Sequence, residues 1–210
     1  MIRLALLDDH QMLREGLRRK FEDYRDIACE IEAGSAREFF AALAGRAADV
    51  VILDIKLPDA NGLQLIHRLR QSHPRCKVVV LTMYDHVRYL MGAREAGADG
   101  FLVKGAPFEE LLAAVRRVHG GKTYVCHEMA AKLKQEGGTA ARPDALSSLS
   151  HREFEVLSLL SAGLSLKAVA DRMDISGKTI DTYRARLMKK LNLSSKADLI
   201  QFAIEHGVRQ

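Results

Sequence analysis

The sequence predicts an α/β domain with a doubly wound, five-stranded parallel sheet, followed by an all-α domain of four helices. Three observations carry this. Over residues 1–122, short aliphatic and β-branched runs alternate with segments of helical spacing, the pattern of a parallel sheet covered by helices on both faces. Residues 134–148, KQEGGTAARPDALSS, lose that periodicity and collect Gly, Ala, Pro and Ser, as a flexible linker does. Beyond them strand-like alternation does not return, and Ser150, Ser165, Ser176 and Ser195 each precede a helical pattern.

In chain order, the strands are IRLALL, IACEIEA, DVVILDI, KVVVLTM and GFLV. DVVILDI is apolar almost throughout, which suits a strand buried on both faces. Between the strands, Leu13, Leu17 and Phe21 share one helix face, as do Leu63, Ile66 and Leu69. The last helix of this half is Pro107–Val118, with Pro107 placed to open it. In the second half SHRE at 150–153 fits a capping box. The four helices there fall at about 150–162, 165–173, 176–191 and 195–206. The expected division is 1–122, a linker over 123–147, and 148–210.

Composition bounds the function. The 210 residues are 48% hydrophobic and 28% charged, ordinary for a soluble chain and enough for two small cores. No apolar run approaches bilayer length, and MIRLALLDDH meets two acids by residue 9, which argues against a signal peptide. Cys29, Cys76 and Cys126 are odd in number and lack CxxC spacing, which suggests reduced thiols in a cytoplasm. Net charge is +5, of which Ser176–Leu191 alone carries +4, a pointer to nucleic acid.

In a doubly wound sheet, ligands bind beyond the carboxyl ends of the strands. Strand one ends in Asp8 and Asp9, strand three in Asp54, strand four in Thr82 and strand five in Lys104. Singly, each has a bland explanation: a cap, a turn, a solvated lysine. All five on one rim are harder to dismiss. Clustered carboxylates repel one another, and a divalent cation relieves that. Oxygen ligands in a partly solvated site suit Mg²⁺, which often also binds a phosphate. Lys104 and Thr82 would serve that phosphate as cation and hydrogen-bond donor.

These residues resemble the receiver domain of two-component response regulators, a flavodoxin-like fold. LLDDHQMLREGL, VILDIKLPDANGLQLI, VVVLTMYD and GADGFLVKGAPFEELLAAV match it in order and spacing over roughly residues 1–120. The resemblance implies that Asp54 accepts a phosphoryl group from a sensor histidine kinase. It implies that Asp8, Asp9, Asp54 and the backbone carbonyl of Lys56 serve Mg²⁺. Thr82 and Lys104 would bind the phosphoryl oxygens, and Tyr84 and the aromatic Phe101 would switch with phosphorylation. Pro58 and Gly62 match the loop leading into the next helix. A rival reading, a haloacid-dehalogenase-type phosphatase, needs a second Asp where Lys56 stands, so an enzyme acting on outside substrates is not expected.

Residues 149–207 resemble the LuxR-type helix-turn-helix of the NarL/FixJ group, through Leu149, Arg152, Glu153, Val156, Leu157, Gly163, Ala170, Ile175, Ser176, Thr179, Ile180, Lys190 and Leu191. The recognition helix would be 176–191. Ile180, Leu187 and Leu191 form its apolar stripe, which leaves Lys178, Thr179, Asp181, Thr182, Arg184, Arg186 and Lys189 for double-stranded DNA. Family members often carry Lys where Asp181 and Ala185 stand, so the base-reading set differs here. Asp181 is expected to pair with Arg184 three residues on. The expectation is a cytoplasmic transcriptional response regulator without direct membrane association. It would form a homodimer on phosphorylation, with Leu199, Ile200 and Ala203 as a candidate contact. The competing expectation is a phosphorylation-dependent protein-interaction switch that does not use DNA.

Overall fold

A computed structural model of the protein describes residues 1–138, 146, 149–205 and 208. The chain divides into two compact units, Met1–Leu133 and Lys134–Gln210. Residues 139–145 and 147–148 of the expected linker, and residue 206 of the expected last helix, lie outside the described residues.

The first unit alternates strand and helix. The strands are β1 (Ile2–Leu7), β2 (Ile27–Ala33), β3 (Val50–Leu53), β4 (Lys77–Thr82), β5 (Gly100–Val103) and β6 (Tyr124–Val125). The helices are α1 (Gln11–Glu22), α2 (Ala36–Leu43), α3 (Gly62–Ser72), α4 (Val87–Ala96) and α5 (Phe108–His119). Helix α6 (His127–Gly138) follows β6. The sheet runs β2-β1-β3-β4-β5-β6, all parallel.

The sheet therefore has six strands, where five were expected. The sixth is two residues long and pairs Tyr124 with Gly100 and Val125 with Phe101. A two-residue strand gives no alternation to read, although Tyr and Val favour extended backbone. Both β6 and α6 fall inside the expected 123–147 linker. HEMAAKLK is rich in helix formers, but the EGG that follows it reads as loop.

The core is the sheet. Every residue of β3 and β5 is buried, and Phe21, Phe39, Leu69 and Val115 cover its faces. Parallel register aligns the strand ends: Leu7 sits opposite Leu53, Leu53 opposite Val80, and Thr82 opposite Val103. Strand order reverses between β1 and β3, which is where a doubly wound sheet opens its crevice.

The second unit is helical: α7 (His151–Ser161), α8 (Leu166–Met173), α9 (Gly177–Leu191) and α10 (Lys196–Glu205). Each begins at an expected serine. Ser150, Ser165 and Ser176 accept from the backbone N–H three residues on, and Ser150 completes a capping box with Glu153. Ser195 accepts from the Asp198 N–H while Asp198 accepts from the Ser195 N–H. Asp174 ends α8 with φ of 53°, the left-handed turn that leads into α9. Phe154, Leu157, Val169, Ile180, Leu187 and Leu199 fill the core; Leu199 and Ala203, expected at a dimer contact, are thus buried within their own unit, and of that trio only Ile200 is partly exposed.

Candidate functional site

The rim of the first unit begins with the chain after β3. Asp54 is 3% exposed, and its backbone N–H donates to Leu7 O at 2.9 Å. The loop beyond it is held by side chains that cap helices. Asp59 accepts from the Ala36 and Arg37 amides at 2.8 and 2.9 Å, in the first turn of α2. Asn61 caps α3 by accepting from the Leu63 N–H at 3.0 Å. Gly62 lies so close to this loop that a Cβ would stand 2.6 Å from both Asp54 O and Ile55 Cα. No side chain fits there, so this glycine fixes the path of the chain around Asp54.

Around Asp54 the structure gathers Asp8, Asp9, His10 and Lys104. Lys104 Nζ lies 2.7 Å from both Asp54 Oδ2 and Asp8 Oδ2, with only 7% of its side chain exposed. One ligand atom each from Asp8, Asp9, His10 and Asp54 lies within 4.8 Å of the others. Burial pushes the Asp54 carboxyl above its ordinary range and nearby Asp8 adds to this, while the Lys104 ammonium pulls against them. Burial works to lower Lys104 as well, but its bonds to Asp54 and Asp8 win and hold it above its usual value. The pocket is thus one cation short of balance: a single ammonium faces three acids. Its carboxylate oxygens are hard donors, the set that suits Mg²⁺ or another divalent cation.

Lys56, whose carbonyl was expected in the same pocket, is exposed, and its N–H donates to Asp54 Oδ1 at 3.2 Å. Thr82 is fully buried at the end of β4 and accepts from the Tyr84 N–H at 3.4 Å. Tyr84 stacks on Tyr89 of α4, with ring centroids 4.1 Å apart and planes 9° from parallel. Phe101 is packed inward at 1% exposure.

Two features escaped the sequence reading. His10 contributes its ring to the acidic cluster; its one signal is its place directly after Asp8 and Asp9. Lys132 of α6 reaches the loop after β4, donating to the Asp85 carboxylate at 2.7 Å and to its carbonyl at 3.0 Å. The span around Lys132 was read as linker, so that contact carried no signal.

In the second unit, α9 buries Ile180, Leu187 and Leu191 and exposes Lys178, Asp181, Thr182, Arg184, Arg186 and Lys189. Thr179 is half-buried at the N-terminus of α9, where its N–H donates to Ser176 Oγ at 3.1 Å. Thr182 donates to Lys178 O at 3.0 Å. Asp181 Oδ1 lies 3.7 Å from Arg184 Nη2, the expected pairing at long range. This is an open face of positive charge on a well-packed helix.

Comparison with known proteins matches both units. The response regulator receiver domain family matches residues 4–116, and the bacterial regulatory proteins of the luxR family match residues 147–203. The chain is similar to the response regulator UvrY of Escherichia coli K12, 30% identical over 99% of this chain and 96% of that one. It is 32% identical to the oxygen regulatory protein NreC of Staphylococcus epidermidis, over 97% of each. Among solved structures it is similar to the response regulator ChrA of a heme-sensing two-component system, 32% identical with a TM-score of 0.53, covering 99% and 98%. RcsB from Salmonella enterica serovar Typhimurium, solved bound to a promoter, shares the fold at 23% identity, with a TM-score of 0.73 over 96% and 97%.

Proposed function

The chain belongs to the transcriptional response regulators that join a receiver domain to a LuxR-type DNA-binding domain, and from that premise we propose that phosphorylation of Asp54 controls the binding of residues 148–210 to DNA. In this reading residues 1–122, with β6 added to their sheet, are the phosphoacceptor module, and the rest of the expected 123–147 segment leads on to the DNA-binding module. The observation that carries it is the rim itself: three acids, a buried hydroxyl and one shared lysine at the carboxyl ends of adjacent strands.

An ionised Asp54 oxygen attacks the phosphorus of a phosphohistidine on a sensor kinase. The P–O bond forms, the P–N bond breaks, and the leaving imidazole takes up a proton. Lys104, already 2.7 Å from Asp54 Oδ2, turns to the incoming phosphoryl oxygens. Asp9, Asp54 and the Lys56 carbonyl, with Asp8 beside them, would hold Mg²⁺, which would supply the charge neutralisation that such a transfer requires. The Thr82 hydroxyl exchanges its long bond with the Tyr84 amide for one to the phosphoryl group. That loosens the Tyr84–Tyr89 stack, and the change reaches Phe101 and, through Asp85 and Lys132, helix α6. The protein population shifts toward a homodimer, whose two α9 helices meet paired half-sites in double-stranded DNA.

Among the described residues no helix is long and apolar enough to cross a membrane. The site of action in this reading is the cytoplasm, where the genome lies. Lys178, Arg184, Arg186 and Lys189 supply phosphate contacts; Thr179, Asp181 and Thr182 lie at the same surface. Sequencing of genomic fragments captured by the full chain, with and without a small phosphodonor, tests the reading. Fragments sharing a motif and enriched by the donor are expected. The absence of any enrichment would favour a protein-interaction switch.

A further inference from the structure

We infer that the second unit holds a binding cavity for a small amphipathic anion, a medium-chain carboxylate, and that its occupant competes with DNA for Arg184. The cavity stands on its own geometry; only the competition rests on the DNA reading above.

The cavity has a volume of about 610 Å³ and is walled by all four helices of the unit and the turns between them. Pockets for small organic molecules span roughly 300–1,000 Å³. Leu160 of α7 and Leu199 of α10 are 3% and 1% exposed and form its floor. Leu164, Leu166, Met188 and Leu193 line it as half-buried side chains. Ile180, Leu187 and Leu191 are the side chains that α9 gives to the core. Met188 lies beside that stripe, on the cavity.

The charge around it is one-sided. The lining holds two cations, Arg184 and Lys196, and no acid. Both are exposed, which puts them at its mouth. The acids beside them leave both cations available. Asp181 stands 3.7 Å from Arg184 Nη2, a loose pair at the surface. Asp198 is taken up by the Ser194 and Ser195 N–H groups, from which it accepts at 3.0 and 2.8 Å. Helix α8 also opens on the cavity, at Ser165 and Leu166, with no acid in its first turn. Six apolar side chains under two cations suit a ligand with an apolar body and an anionic head. A guanidinium takes a carboxylate through two parallel bonds, which fixes the head while the tail covers the leucines. Inorganic phosphate or a DNA phosphate would meet the cations and leave the apolar floor bare. Arg184 cannot hold such a carboxylate and a DNA phosphate at once, so occupant and DNA weaken each other by the same factor.

Methyl NMR of the full chain, labelled at methionine and leucine, tests the cavity by titration with decanoate below its micelle concentration. Decanol and inorganic phosphate are the controls. Decanoate should shift the methyl signals of Met188, Leu164 and Leu193 saturably, and phosphate should not. Lys196→Met should weaken decanoate about fivefold, the upper end for an exposed ion pair, and leave decanol unchanged. Leu193→Trp, which fills the cavity, should abolish the shifts; Lys196→Met, at an exposed position, decides the matter if that variant does not fold. A Met188 signal that decanoate leaves unmoved, or shifts that spread over both units without saturating, would overturn the site. So would a Lys196→Met that weakens decanoate and decanol alike. Fluorescence anisotropy with duplex DNA then reads the competition. Saturating decanoate should lower the DNA affinity of the wild type about fivefold or more, and leave that of Leu193→Trp unchanged. An undiminished wild-type affinity would overturn the competition and leave the cavity standing. A chain that binds no DNA at all would overturn the competition together with the proposed function, while the methyl shifts still decide the cavity.

Discussion

Each unit sets a buried carboxylate against a lysine at the same distance, Asp54 in the first and Glu153 in the second, and these two acids shift in opposite directions. Asp54 and Lys104 lie 2.7 Å apart, with side chains 3% and 7% exposed. Glu153 and Lys190 also lie 2.7 Å apart, at 3% and 40%. Burial raises both acids. At Asp54 burial prevails, aided by Asp8, and the carboxyl rises. At Glu153 burial is outweighed by the Lys190 ammonium and the Ser150 capping-box bonds, and the carboxyl falls. Glu153 is a fastening, in which a charged group has the partners it needs. Asp54 shares its lysine with a second acid, so its charge is only partly compensated. In the proposed function this imbalance leaves a place for a divalent cation, which would offset the acids and the negative charge of an incoming phosphoryl group.

The comparison breaks most visibly on the lysines. Lys104→Met strands two buried acids and should cost the first unit about 3 kcal/mol without divalent cation. Lys190→Met removes a half-exposed partner from an acid that keeps its capping box, and should cost the second unit about 1 kcal/mol. Native-state hydrogen exchange in EDTA, read at β3 and β4 amides and at α7 and α9 amides, measures the two units separately. Equal losses would erase the distinction.

Acid titration sharpens it. The folded Glu153 carboxyl lies below its ordinary 4.5, so its stabilisation is full above that pH and is lost as pH falls through the folded value. Glu153→Gln should therefore flatten the acid limb of the second unit. Asp54 lies above its ordinary 3.8, so its ionisation weakens the fold as pH rises through the folded value. Asp54→Asn should remove that weakening and make the first unit more stable at pH 7 than the wild type. An unchanged or lower stability of Asp54→Asn in hydrogen exchange would contradict the direction assigned to Asp54.

The exposed charges of α9 act on DNA binding and not on the stability of either unit. Lys189→Ala on α9 should weaken DNA binding at every site alike and lower the salt slope by about one. Asp181→Ala should also act uniformly if Asp181 braces Arg184, and should cost roughly 1–3 kcal/mol at one base position if it reads a base. Fluorescence anisotropy across a salt series and a set of operator variants separates these outcomes.

The same contrast explains what the sequence could tell. Asp8, Asp9, Asp54, Thr82 and Lys104 were legible because each ends a strand, and parallel register brings strand ends to one rim. The four C-terminal helices were legible because each starts at a serine whose hydroxyl accepts a backbone N–H. The two-residue β6 was not, because its pairing depends on β5 and not on any pattern of its own. Helix α6 hid behind its Gly-rich end, and with it the Lys132–Asp85 contact. His10 hid because a lone histidine after two acids is bland until the ring is seen facing them.

The central claim is that the under-compensated carboxylate of Asp54 takes up a phosphoryl group. Intact-mass spectrometry of the full chain with a small phosphodonor and Mg²⁺ tests it most directly. One added phosphoryl group is expected on the wild type, none on Asp54→Asn, and none on Asp9→Ala, which lacks an acid of the cation pocket. An undiminished adduct on Asp54→Asn would contradict the account.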